Sequence, residues 1–188
     1  MTCLEAYLSS MHSTVLTFWF HEVKPAQWWT VAPAFDDLIR TRFGALHEQA
    51  RRCELFSWRA TPEGRLAEVV AIDQFARNIH RGTPQAFAAD PLALALAQEA
   101  VAAGDDLKLP VEQRAFLYMP YMHSESAAIH AVAEPLMKAR APQGTYDFEL
   151  KHKAIVDRFG RYPHRNAILG RPSTAEEIEF LKQPGSSF

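Results

Sequence analysis

Three short blocks of the sequence carry residues able to do polar chemistry. "IDQFARNIHRG" (72–82) sets Asp73 and Arg77 four residues apart, and Asn78, His80 and Arg81 follow. On a helix, Leu66, Val70, Asp73 and Arg77 fall on one stripe, so the acid and the guanidinium continue an apolar face and can meet directly. A half-buried pair of this kind needs further partners. "YMPYMHSES" (118–126) puts His123 beside a helix start, where exposed N–H groups favour anions. "RFGRYPHRNAILGR" (158–171) gathers four arginines and His164 around a turn. In it Gly160 frees the backbone, Tyr162-Pro163 stiffens it, and Arg161, His164, Arg165 and Asn166 lie on the connection. Arginine presents a rigid fork matched to carboxylate and phosphate. Histidine is the side chain that exchanges protons near neutral pH.

Together these blocks predict an Arg/His-lined cleft for a small carboxylate or phosphate. Asp73, Arg77, Asn78, Arg81, Arg161, Arg165 and Asn166 are its ligand-binding candidates, and His123 and His164 its candidate catalytic proton carriers. Whether catalysis follows stays open, and nothing selects a reaction. The alternative is a peptide- or protein-binding module whose Arg and Asn side chains clamp a C-terminal carboxylate. The chain's own tail, "PGSSF", is a candidate for such docking. A third possibility is that the network is purely structural, since satisfied buried polar groups also specify packing.

Positioning these blocks calls for a scaffold, and the sequence reads as all-α throughout. No alternating β-branched run bounded by hairpin turns is present. A first helix is expected over about Thr14–Phe20, with a separate turn around Leu4–Met11. Pro33 opens a helix to about Cys53, with Phe35, Leu38, Ile39, Phe43, Leu46 and Ala50 at helical spacing. Thr61-Pro62-Glu63 is a cap followed by proline in the first turn, and that helix runs to about His80 before Gly82. Asp90-Pro91 opens the next, ended by Gly104. A helix from Pro110 is expected to break at Pro120, and one over Ser124–Lys138 to kink at Pro135. Helices over Thr145–Phe159 and after a capping Ser173 complete the string. That makes about eight or nine helices in antiparallel pairs, bundled or stacked.

The totals exclude other classes. The chain has 188 residues, net charge −2 and 48% hydrophobic content, which suit one ordinary globular domain. The weak charge offers no field for nucleic acid or an anionic membrane. Fourteen Arg against six Lys is lopsided. No apolar run is long enough to span a bilayer and the start lacks a basic leader, so a cytoplasmic location is expected. Cys3 and Cys53 have no metal or redox spacing, and Cys53 is expected to be a small core or half-buried residue. Neither CxxC, P-loop, GxGxxG nor GxSxG occurs, and His47-Glu48 is followed by Arg51 where HExxH needs its second histidine. No cofactor and no metal are therefore expected. The aromatic set Phe18, Trp19, Phe20, Trp28, Trp29 and Trp58 is assigned to the core.

In this order, "VLTFWF", "IDQFARNIHRGTPQAFAADPLAL", "HSE", "RFGRYPHRNAILGR" and "PGSSF" resemble the bacterial family catalogued as domain of unknown function 924. The resemblance spans Val15–Phe188 and implies one all-helical domain over 15–188, a tetratricopeptide-repeat-like stack, with residues 1–14 as an extension and Met11 as an alternative start. It implies no reaction. Against the family pattern, Ala76 stands where Pro is usual and His80 where Tyr is usual, and alanines fill "SESAAIHAVAE". That last departure argues against a role for carboxylates in this segment beyond Glu125.

Overall fold

A computed structural model describes residues 11–187. These form the expected all-helical stack, with no strand among the described residues. Residues 11–17 are helical (α1) and widen into a π turn over Phe18–Glu22. There follow α2 (Pro25–Trp28), α3 (Pro33–Arg51), α4 (Pro62–Ile79), α5 (Asp90–Ala102), α6 (Val111–Met122), α7 (Ala127–Arg140), α8 (Gln143–Phe159) and α9 (Ala175–Phe180). Among the described residues no helix is long and apolar enough to cross a membrane. The turn expected at Leu4–Met11 and Cys3 lie outside the described residues, except for Met11 itself.

α4 is the centre of the stack. It packs against α3, α5 and α6, and from Leu66 to Ala76 every residue is buried. Its start is set as the sequence predicts: Pro62 occupies the first turn and the Thr61 hydroxyl accepts from the Gly64 N–H at 3.1 Å. Around α4 the main core joins Phe18, Phe43 and Phe75, with centroids 4.8 Å apart for both Phe18–Phe43 and Phe43–Phe75. A second apolar cluster lies between α5, α6 and α7 around Tyr118, Met122 and Met137. A third lies under the 158–171 loop around Ile155, Val156 and Tyr162.

Several local expectations are corrected. Pro120 does not break α6, which runs on to Met122 because packing against α4, α5 and α7 on its buried face offsets the missing N–H. α7 is continuous through Pro135, so the helix is not split there. The residue capping α9 is Thr174, not Ser173: its hydroxyl accepts from Glu177 N, and the Glu177 carboxylate returns to Thr174 N at 2.7 Å. Cys53 is exposed, at a left-handed position (φ 59°) that turns its side chain out of the core. Of the aromatic set, Phe18, Trp19 and Trp58 are buried, Phe20 and Trp28 are only partly buried, and Trp29 is exposed.

Two glycines behave oppositely. A Cβ on Gly64 would stand 2.0 Å from the Trp58 carbonyl oxygen, so α4 and the preceding turn touch at that point backbone to backbone. A Cβ on Gly44, in the middle of α3, would meet nothing within 4 Å. Gly64→Ala is expected to lower unfolding stability by about 2–4 kcal/mol, and Gly44→Ala to raise it by about 0.5–1 kcal/mol. Urea unfolding of both variants checks the pair; equal effects would contradict this contact.

Candidate functional site

All three polar blocks send side chains to one place, where α4, the start of α5, the α6–α7 junction and the 158–171 loop meet. From α4 comes Asp73, fully buried. One of its oxygens faces His123 Nδ1 at 2.7 Å, and the other accepts from the Gln74 amide at 2.5 Å. Burial alone would raise the Asp73 pKa, but the facing His123 and the nearby Arg77 outweigh it and hold this carboxyl below its ordinary range. One turn along α4, Arg77 reaches away from Asp73 (3.6 Å) to the Asp90 carboxylate at 2.8 and 2.9 Å and to the Ala86 carbonyl. The proline-primed start of α5 therefore does more than begin a helix, since Asp90 is the hinge between two arginines. The second is Arg165, which touches Asp90 at 3.3 Å.

Gly160 ends α8 at φ 68° and turns the chain, so that Tyr162 and Arg165 point inward. Tyr162 is fully buried; its hydroxyl donates to the Met122 carbonyl at 2.6 Å and lies 3.1 Å from His130 Nε2. His130 in turn is held by Glu149 at 2.7 Å. Arg165, 6% exposed, has its guanidinium carbon over the rings of Phe87 (4.6 Å) and Tyr162 (4.7 Å). Its Nε is buried without a hydrogen-bond partner among the described residues. Burial and the neighbouring Arg77 both lower its pKa, the sign expected of two crowded cations. His164 sits beside it, 5.6 Å from the Tyr162 ring centre. Burial, then the Arg165 charge, push His164 down to about 4.

The other candidates lie elsewhere. Arg81 grips Asp36 of α3 with two bonds (2.6 and 2.9 Å) and Asn78 donates to the same carboxylate at 2.8 Å, so both belong to the α3–α4 seam. Arg161 makes a two-bond pair with Glu177 at 2.6 and 2.8 Å and anchors α9. Asn166 is buried between Ser173 (3.1 Å) and Arg171 (3.0 Å). The tail folds back on its own chain: Pro184, Gly185 and Ser187 form one wall of a groove whose other wall is α8, and Phe188 lies outside the described residues. Sequence reasoning read Asp90 only as a cap and Tyr162 only as a stiffener, and it passed over Phe87 and Arg171. Asp90 had a visible signal, being a carboxylate thirteen residues after Arg77 in the stretch that resembles the family. Arg171, which clamps Glu125 at 2.6 and 2.9 Å, had none beyond its charge.

Beside Asp90 opens a cleft of about 270 Å³. Pro91, Leu94, Pro120 and Ile129 make its walls apolar, and Ser124 and Ser126 add hydroxyls. The arrangement is that of a helical protein with a largely buried, arginine-rich polar cluster, one of whose carboxylates, Asp90, also lines a small cleft. The family model described as bacterial protein of unknown function (DUF924) matches residues 15–185, and the chain belongs to that family. A solved structure of a protein of unknown function from Agrobacterium tumefaciens is similar at 36% identity and a TM-score of 0.87, over 93% of this chain and 98% of that one. Among curated proteins there is no match.

The buried imidazoles give stability a definite pH dependence. Burial pushes His152 to about 3 and His164 to about 4, both from 6.5. Between 6.5 and those values the unfolded chain binds more protons than the folded one, so stability is full above 6.5 and falls on acidification. Glu177, held at about 2 chiefly by Arg161, adds the same sign below its unfolded value of 4.5. The urea midpoint is expected to fall steadily from about pH 6.5 downward, with a shallower slope in His164→Gln. A midpoint unchanged down to about pH 4 would contradict the buried neutral histidines.

Proposed function

We propose that the cluster formed by Asp73, Arg77, His123 and Arg165 binds a small anionic ligand, a carboxylate or phosphate, whose apolar part lies in the adjoining cleft. The observation that carries this reading is the state of Arg165. Arg81, Arg161 and Arg171 are each held by two bonds to one carboxylate. Arg165 is buried and, among the described residues, has one hydrogen bond, at 3.3 Å to a carboxylate already taken by Arg77, and an unpartnered Nε. A buried cation in this state is costly, and a ligand oxyanion accepting two N–H bonds offsets that cost. Asp90 occupies the place of such an anion and competes with it. The cleft, at about 270 Å³, suits a small molecule better than an extended peptide. His123, oriented by Asp73, is the candidate proton carrier if a reaction follows binding.

This reading makes Asp90 and Arg165 act in opposite directions. Thermal melts and calorimetry with inorganic phosphate and small carboxylates test it. Asp90→Asn is expected to tighten anion binding about tenfold or more by removing the competitor, and Arg165→Met to weaken it by at least about tenfold. Wild type and Asp90→Asn both indifferent to every anion, with Arg165→Met less stable than wild type, would make the cluster architecture alone.

A further inference from the structure

Across α4 from this cluster, on the α3–α4 seam, lies a second group of ligating side chains. His47 and Glu48 are adjacent near the end of α3, and His80 is the residue that ends α4. One ligating atom from each of the three lies within 4.8 Å of the other two, and the two imidazole centres are 5.3 Å apart. His47 is 1% exposed. Its Nδ1 lies 2.8 Å from the Ala71 carbonyl of α4, so Nδ1 carries the proton and Nε2 carries the lone pair. That Nε2, and the Nε2 of His80, are both buried with no hydrogen-bond partner among the described residues. Two buried ring nitrogens left unsatisfied at one spot call for a missing partner.

We infer that His47, Glu48 and His80 form a binding site for a divalent transition-metal ion, zinc foremost. Two imidazoles and one carboxylate make a donor set that zinc accepts with its fourth position left to water. The supporting shell is in place. The Ala71 carbonyl fixes the His47 tautomer, as an outer partner does for a metal-bound histidine. Arg51 contacts both Glu48 oxygens, at 3.0 and 3.1 Å, so it can keep one while the other turns to the metal. Burial lowers the pKa of both histidines, which keeps the rings neutral and ready to coordinate. Zinc bonds near 2.0–2.1 Å require ligand atoms about 3.4 Å apart. The 4.8 Å spread closes by a side-chain movement of about 1 Å, which the partly exposed His80 supplies. The sequence conceals this site because its second histidine is brought in by α4, thirty-two residues after Glu48.

The test uses the full chain, free of any affinity tag and stripped of metal by a chelator. Zinc is titrated by calorimetry, and cobalt as a spectroscopic stand-in reports the coordination geometry. One equivalent is expected to bind, with tetrahedral cobalt absorption, and affinity should weaken as the pH falls through the histidine range. His80→Ala, chosen because His80 is only partly buried at a helix end, is expected to cost about a hundredfold in affinity and Glu48→Gln about tenfold. His21→Ala, at an exposed position away from the group, is expected to change nothing. Failure of zinc to bind at about a hundred micromolar, or an affinity equal in wild type and a folded His80→Ala, would overturn the inference. Anion binding at Arg165 is a separate measurement and is unaffected by either result.

Discussion

The burial of α4 on nearly all sides is the constraint on which the rest of the structure depends. A helix so enclosed is expected to be apolar all round, yet α4 carries Glu68, Asp73, Gln74 and Asn78 in buried positions. Each must find a partner within the protein, because an unpaired buried polar group costs more than the helix can spare. Each does so on a different neighbour. Glu68 takes Arg59 of the preceding turn, Asp73 takes His123 at the α6–α7 junction, Gln74 reaches Met119 of α6, and Asn78 takes Asp36 of α3. The packing of the surrounding elements is thus keyed to the central helix by directional bonds as well as by apolar contact.

The same logic separates architecture from the candidate site. Where an arginine and a carboxylate meet with two bonds, as in Arg81–Asp36, Arg161–Glu177 and Arg171–Glu125, the pair is complete and holds elements together. Where two arginines share one carboxylate, as at Asp90, the charge is incomplete. The aromatic faces of Phe87 and Tyr162 help keep Arg165 in place without satisfying its N–H groups. On the proposed reading, the two rings hold this cation ready for an oxyanion. The similarity to the Agrobacterium tumefaciens structure covers nearly the whole chain, so the fold that assembles these blocks is shared beyond this sequence.

The sequence and the tertiary structure divide the outcome in an orderly way. Helices whose starts rest on local chemistry were legible: Pro33, Thr61-Pro62 and Asp90-Pro91 each open one within a residue of expectation, and Gly160 closes another. Where two adjacent residues offered the same hydroxyl, at Ser173 and Thr174, local chemistry could not choose, and the reach of Glu177 to Arg161 and Thr174 did. Pro120 looked like a break because the sequence shows the lost hydrogen bond but not the packing that compensates for it.

By itself the sequence determined the all-α class, most helix boundaries and the three blocks rich in chemistry, because caps, turns and periodicity act over a few residues. Only the tertiary structure decided which of their residues face one another. Asp73, Arg77, His123 and Arg165 come together, while Asn78, Arg81, Arg161 and Asn166 leave for neighbouring seams. Asp90 acquires its place between two arginines only when α5 is laid against α4, and His80 joins His47 only where α4 ends beside α3. Charge identity is a property of the chain, but charge pairing depends on distance, and distances between residues far apart in sequence are set by how the helices pack.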